Sequence, residues 1–225
     1  LIEAFAASID TGAWLILLFI FEGETSNAIT TYSPYSRYIR FLKAACYLFI
    51  IYAFYGYVTK MLFLSQAQTI HTITDLCSVI HNNWAYAIDL DEYELINSSN
   101  CNNFSTANSF LQFPDLKAIV DASGYKEIIR LSWVDIINSG VWILVVILLE
   151  LDLIIKNLNK FTVTFKTISQ SIKLVLYSTL FLAAVYWGIK GDFVDFWDAF
   201  LWLIAFIFIE LSISMPTGFV FLSSI

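Results

Sequence analysis

The chain has 225 residues, 59% hydrophobic and only 14% charged, with 12 Lys and Arg against 19 Asp and Glu for a formal net charge of -7. Soluble domains are about 45–50% apolar and about 25% charged, so this composition describes an integral membrane protein. The acidic balance also removes the basic surface that a nucleic-acid binder needs.

Five apolar stretches, 4–22, 44–64, 134–154, 172–189 and 196–214, each approach the roughly 20 residues that cross a bilayer as helix. None alternates apolar and polar residues as a barrel strand does, and the unsolvated backbone of a long apolar run is satisfied only as helix. The expected fold is therefore an all-α integral membrane protein. It is a five-helix transmembrane bundle with a first hairpin over 1–64, a small extracytoplasmic cap over 65–133, and a second hairpin plus fifth helix over 134–225.

After the first stretch, the 23–43 connection carries Arg37, Arg40 and Lys43, and the later 151–173 connection carries Lys156, Lys160, Lys166 and Lys173. The 65–133 segment and the 190–195 turn are poorer in such residues for their length. The positive-inside rule then places 23–43 and 151–173 in the cytoplasm, the chain start and the cap outside, and the chain end inside.

Within the cap, "LSQAQTIHTITDLCSVIHNNW" (64–84) keeps near-helical apolar spacing and reads as a continuation of the second span. "DLDEYEL" (89–95) is an acidic stretch, and "NSSNCNNFSTANS" (97–109) reads as a loop. "PDLKAIVDASG" (114–124) opens on Pro and Asp and closes on Gly, predicting a short helix. The expectation is a mostly helical cap too small for a large core of its own. Cys77 and Cys101 both fall here, where an oxidising compartment lets them form a disulfide, while Cys46 sits alone in the second span. Asn97 and Asn103 open glycosylation sequons, which matter only in a eukaryotic secretory route. His71 and His81 with the two cysteines form a nominal metal set whose spacing matches no common zinc pattern. No metal or cofactor is expected.

The spans carry a repeated signature. "GAWLILLFIFE" (12–22), "GVWILVVILLE" (140–150) and "FLWLIAFIFIE" (200–210) each set a glutamate eight residues after a tryptophan, in spans one, three and five. Asp10, Asn138 or Asp198 stands four residues before each Trp. Spans two and four, "KAACYLFIIYAFYG" and "KLVLYSTLFLAAVYWG", resemble one another loosely, so the pattern reads as one hairpin used twice with its first helix repeated again. An indole prefers the membrane interface, which turns the tryptophans toward lipid and the glutamates toward protein.

An ionisable group in the bilayer is costly unless paired or hydrated, and it marks function by default. Glu22, Glu150 and Glu210 are candidates to ring a cation or proton path, with Asp10, Asp135 and Asp198 as an outer acidic mouth. The competing structural reading pairs Glu22 with Lys43 and Glu150 with Lys173, and leaves Glu210 without a lysine. Aromatic residues, at 17% of the chain, pack helices and anchor interfaces more readily than they line a flat-lipid site. Two functions follow: a small oligomeric cation or proton channel or transporter, or a non-catalytic structural or accessory subunit of a larger membrane complex. The partners are the lipid bilayer and either further copies of the chain or other membrane subunits.

Overall fold

The computed structural model describes residues 2–25, 36–70, 75–105, 109–114, 116–158 and 162–214. Among them the helices are α1 (Ile2–Thr25), α2 (Ser36–Leu64), α3 (Cys101–Phe104), α4 (Ala122–Asn157), α5 (Val163–Lys190) and α6 (Phe193–Ser214). Each apolar stretch read from the sequence lies within one of the long helices. Arg37–Leu64, Ala122–Ile155 and Val163–Lys190 are long and apolar enough to cross a membrane, and the chain is a membrane protein on that ground. Mostly helical, it departs from an all-α bundle of five helices by its short α3 and by a sheet.

Local chemistry sets the helix ends. The Thr162 hydroxyl accepts the Phe165 N–H at 3.3 Å and caps the start of α5. Gly191, with φ 96° in the left-handed region, ends that helix and lets its N–H turn back to the carbonyls of Gly188 and Trp187. The chain then enters α6 within two residues.

Two compact units result, one of Leu1–Phe54 with Asn138–Ile225 and one of Tyr55–Ile137. The first is a helical unit whose core gathers Leu17, Phe21, Ile50, Trp142, Val145, Leu149, Leu180, Leu203 and Phe206. Large apolar side chains such as Leu48, Phe49, Tyr52, Leu144, Leu174 and Phe208 lie on its outside. Apolar exteriors of this kind suit lipid as solvent.

The second unit contains the sheet, in the order β1-β4-β5-β2-β3. Its strands are β1 (Gln68–Ile70), β2 (Ala85–Ala87), β3 (Tyr93–Leu95), β4 (Phe110–Gln112) and β5 (Ala118–Asp121), and only β2 and β5 pair in parallel. A 3₁₀ helix, Leu76–Asn82, and α3 pack against it through Leu76, Val79, Ile96, Cys101, Phe110 and Ile119. The Tyr86 and Phe104 rings stack at 4.2 Å. A disulfide joins Cys77 to Cys101 and so ties the 3₁₀ helix to α3. The thiolates that a metal site would need are consumed in this bond; His71, and the side chain of His81, lie outside the described residues.

The mostly helical cap is thus corrected to a small mixed α/β unit. Strands of three or four residues are too short to display a period, and the helix-like spacing over 64–84 divides between β1 and the 3₁₀ helix. Around 114–124 the expected helix is a turn, closed by the Leu116 N–H to the Phe113 carbonyl at 3.4 Å, followed by β5. The helix signal belongs one step later. Asp121 ends β5 and caps α4, accepting the backbone N–H groups of Ser123 at 3.3 Å and Gly124 at 3.0 Å and the Tyr86 hydroxyl at 3.0 Å. Gly124, expected to end a helix, sits in the first turn of α4, where a Cβ would come within 2.7 Å of the Asp121 carboxylate.

Partial burial raises the Asp121 pKa, but the Ser123 hydroxyl, the Gly124 N–H and the Tyr86 phenol together bring it below its ordinary 3.8. Burial and the Asp121 charge push Tyr86 the other way, to about 12. A depressed carboxyl pKa stabilises the fold above about 3.8 and loses that contribution as pH falls through the folded value; the raised phenol contributes below pH 10 and is lost as pH climbs toward about 12. Asp121→Ala is expected to destabilise the unit by about 1–2 kcal/mol. Hydrogen exchange at the first amides of α4 should accelerate in this variant at neutral pH, and the difference from wild type should shrink below pH 3.8.

Candidate functional site

The three repeated tryptophans meet inside the helical unit. Trp14 lies 6.1 Å from Trp142 and 6.4 Å from Trp202, and Phe206 packs against all three at 5.0 to 6.3 Å, ring centroid to centroid. Trp142 is buried, while Trp14 and Trp202 are partly buried against the same core. The sequence expectation that turned the tryptophans toward lipid is therefore corrected. Three indoles on three helices cover more apolar area when they share one layer than when each lies alone at an interface, and edge-to-face contacts add to that burial.

A second layer is ionic. Lys43, one of the few buried charged residues, extends from α2 to Glu24 of α1 at 2.7 Å and to Glu150 of α4 at 2.6 Å. Its ammonium also stands 4.7 Å from the Phe21 ring centroid. Tyr47, one turn after Lys43, donates its hydroxyl to Glu150. Lys173 of α5, with a side chain only 2% exposed, lies between Asp152 of α4 and Glu210 of α6, the latter at 2.5 Å. The Ser169 hydroxyl, one turn before Lys173, donates to Asp152 at 2.8 Å. Two ammonium groups thus sit among four carboxylates, linking α1, α2, α4, α5 and α6.

The offsets repeat. Lys43 joins the acid ten residues after Trp14 to the acid eight residues after Trp142; Lys173 joins the acid ten residues after Trp142 to the acid eight residues after Trp202. A tyrosine follows each lysine by four residues, Tyr47 and Tyr177. Tryptophan meets tryptophan in one layer, acids meet lysines in another, and the two layers are about 12–15 Å of helix apart. Both can be satisfied only if α1, α4 and α6 run in the same direction.

Several pairings differ from those read in the sequence. Glu150 goes to Lys43 rather than Lys173, and Glu210, expected to lack a lysine, takes Lys173. The carboxylate that reaches Lys43 from α1 is Glu24, while Glu22 occupies an exposed position. A choice between carboxylates two residues apart, on nearly opposite sides of the helix, depends on helix rotation, which hydropathy does not report. Glu24 and Asp152 were missed; their shared offset of ten residues from Trp14 and Trp142 was the available signal.

The outer acids do not form one set. Half-buried Asp10 and exposed Asp198 stand one turn before Trp14 and Trp202, whose indoles hydrogen-bond to them. The equivalent place on α4 belongs to Asn138, whereas half-buried Asp135 lies in the other unit. Among the described residues no group of three or more His, Cys, Asp and Glu is arranged to hold a metal ion.

Chemically the ionic layer can hold the helices in register, with Glu24, Glu150 and Glu210 less buried than Asp152. Removing a lysine leaves two carboxylates facing each other without a counter-charge, a loss that costs about 3–5 kcal/mol at a buried site. Lys173→Met is expected to destabilise by about that amount, and Lys43→Met by less, because Glu24 and Glu150 are more hydrated than Asp152. Thermal unfolding in detergent of the two variants checks this order. Comparison with protein-family models, with curated proteins and with solved structures finds no match to this chain.

Proposed function

We propose that the protein is a non-catalytic structural or accessory subunit of a larger membrane complex. The observation that carries this reading is the double clamp: Glu150 and Glu210, two of the three glutamates considered for an ion path, are each engaged by a buried lysine. A step along the helices, the rings of Trp14, Trp142, Trp202 and Phe206 occupy the centre where a polar route would run. Both features favour a fixed bundle.

In this reading five helices, α1, α2, α4, α5 and α6, span the bilayer as a hairpin used twice plus a repeated first helix. The chain start and residues 65–133 are extracytoplasmic and the chain end is cytoplasmic, as the lysine and arginine distribution favours. Residues 65–133 are then free to meet a soluble partner outside, while apolar helix faces meet lipid or other membrane subunits.

A second reading, the small oligomeric cation or proton channel or transporter, draws on the excess of four carboxylates over two lysines in the ionic layer. Liposome reconstitution separates the two. The subunit reading expects proton and potassium flux at the level of empty vesicles, unchanged by Glu210→Gln. Flux above that level that Glu210→Gln abolishes, with the variant still folded, would establish the transport reading instead.

A further inference from the structure

One face of α2 differs from the other apolar faces of the helical unit. Tyr38, Phe41, Leu48 and Tyr52 are between 69% and 77% exposed, and with partly buried Ala45 they recur at alternating intervals of three and four residues. That is the 3.5-residue period of a seam between two helices. Lys43, Cys46 and Ile50, which α2 buries, fall outside this series and on the opposite side of the helix.

Hydrocarbon suits the face poorly. Tyr52 lies near the middle of Arg37–Leu64, a stretch long and apolar enough to cross a membrane. Among the described residues no hydrogen bond reaches its hydroxyl, and a hydroxyl without a partner in an apolar medium costs free energy. The other long helices of this unit expose leucine, isoleucine, valine, phenylalanine or tryptophan there, and the exposed tyrosines are confined to α2.

Self-complementarity identifies the partner. A phenol both donates and accepts, so Tyr52 is answered by a second Tyr52. Two copies inserted in one bilayer the same way run parallel, and a two-fold axis then sets each position of the seam opposite itself. The small side chain of Ala45, between Phe41 and Leu48, lets the two backbones approach. None of the five positions is charged, so self-pairing brings no like charges together.

We propose that this face of α2 packs against the same face of a second copy of the chain, with the two Tyr52 hydroxyls bonded to each other across the pair. The pairing goes beyond the subunit reading, which a single copy among other subunits would equally satisfy.

Cysteine cross-linking of the full chain in phosphatidylcholine vesicles tests it. Leu48→Cys places a thiol on the face, and Ser178→Cys is the control, since Ser178 is exposed and follows Lys173 by five residues as Leu48 follows Lys43. The unchanged chain, whose free Cys46 is buried, sets the background. Oxidation should give a covalent dimer from Leu48→Cys and only background from Ser178→Cys. Adding Tyr52→Phe should raise the protein-to-lipid ratio at half-dimerisation by about threefold, the worth of one hydrogen bond between membrane helices. Ala45→Phe should wedge the helices apart and leave only background. Cross-linking no stronger at Leu48→Cys than at Ser178→Cys, or a dimer insensitive to either added change, overturns the proposal and leaves the face to lipid or to a different subunit.

Discussion

Two lysines in an apolar environment impose the strongest constraint on this structure. An ammonium removed from water must be met by negative charge, and a helix that lies against lipid supplies none, so each lysine must be answered by neighbouring helices. Lys43 draws Glu24 and Glu150 to itself, and Lys173 draws Asp152 and Glu210. The two pairs meet on α4, where Glu150 and Asp152 stand two residues apart. Thus α4 is tied to α1 and α2 by one clamp and to α5 and α6 by the other. Hydrophobic burial gives little help here, because a lipid tail is as apolar as a leucine. Electrostatic pairing therefore carries information that packing alone lacks: which helix lies beside which, and in what register.

The same pairing resolves a local conflict. Glu24 lies in the last turn of α1 and Glu210 near the end of α6, where the unsatisfied carbonyl groups of a helix disfavour a negative charge by about 0.3–1 kcal/mol. Neither helix has a basic residue of its own in the last turn. The lysine that neutralises each carboxylate comes from another helix, which turns a local liability into a tertiary link. The tryptophan layer sets the second fixed level. With one level of aromatic contact and one of ionic contact, α1, α4 and α6 are restrained both in direction and in axial position, and only rotation about each axis is left for ordinary side-chain packing to decide.

How far this could be read beforehand depends on the physics of each feature. The long helices were legible because about 20 apolar residues in succession have few other solutions. The Trp-to-Glu spacing was legible because a recurrence in three helices stands out from the composition. The destination of the tryptophans was not, since an indole is suited equally to an interface and to a core, and only the partner helices decide. Nor could the sequence choose between Glu22 and Glu24, or between Glu150 and Asp152, as partners for a given lysine, because two residues of helix rotate a side chain by about 200°. The sheet stayed hidden for a different reason. Its strands are held by pairings between distant segments, such as Gln68 with Gln112 and Ala85 with Ala118, which no local pattern encodes.

The central claim is the wiring of the ionic layer, and a pair of double-mutant cycles tests it most directly. One cycle combines Lys173→Met with Glu210→Gln, and the other combines Lys173→Met with Glu150→Gln, each followed by unfolding in the same detergent. Residues that share an ion pair couple by about 0.5–3 kcal/mol, whereas residues without shared partners add to within about 0.3–0.5 kcal/mol. The account predicts clear coupling between Lys173 and Glu210 and much weaker coupling between Lys173 and Glu150. Strong coupling of Lys173 to Glu150 with none to Glu210 would contradict it, and with it the order of helices described above.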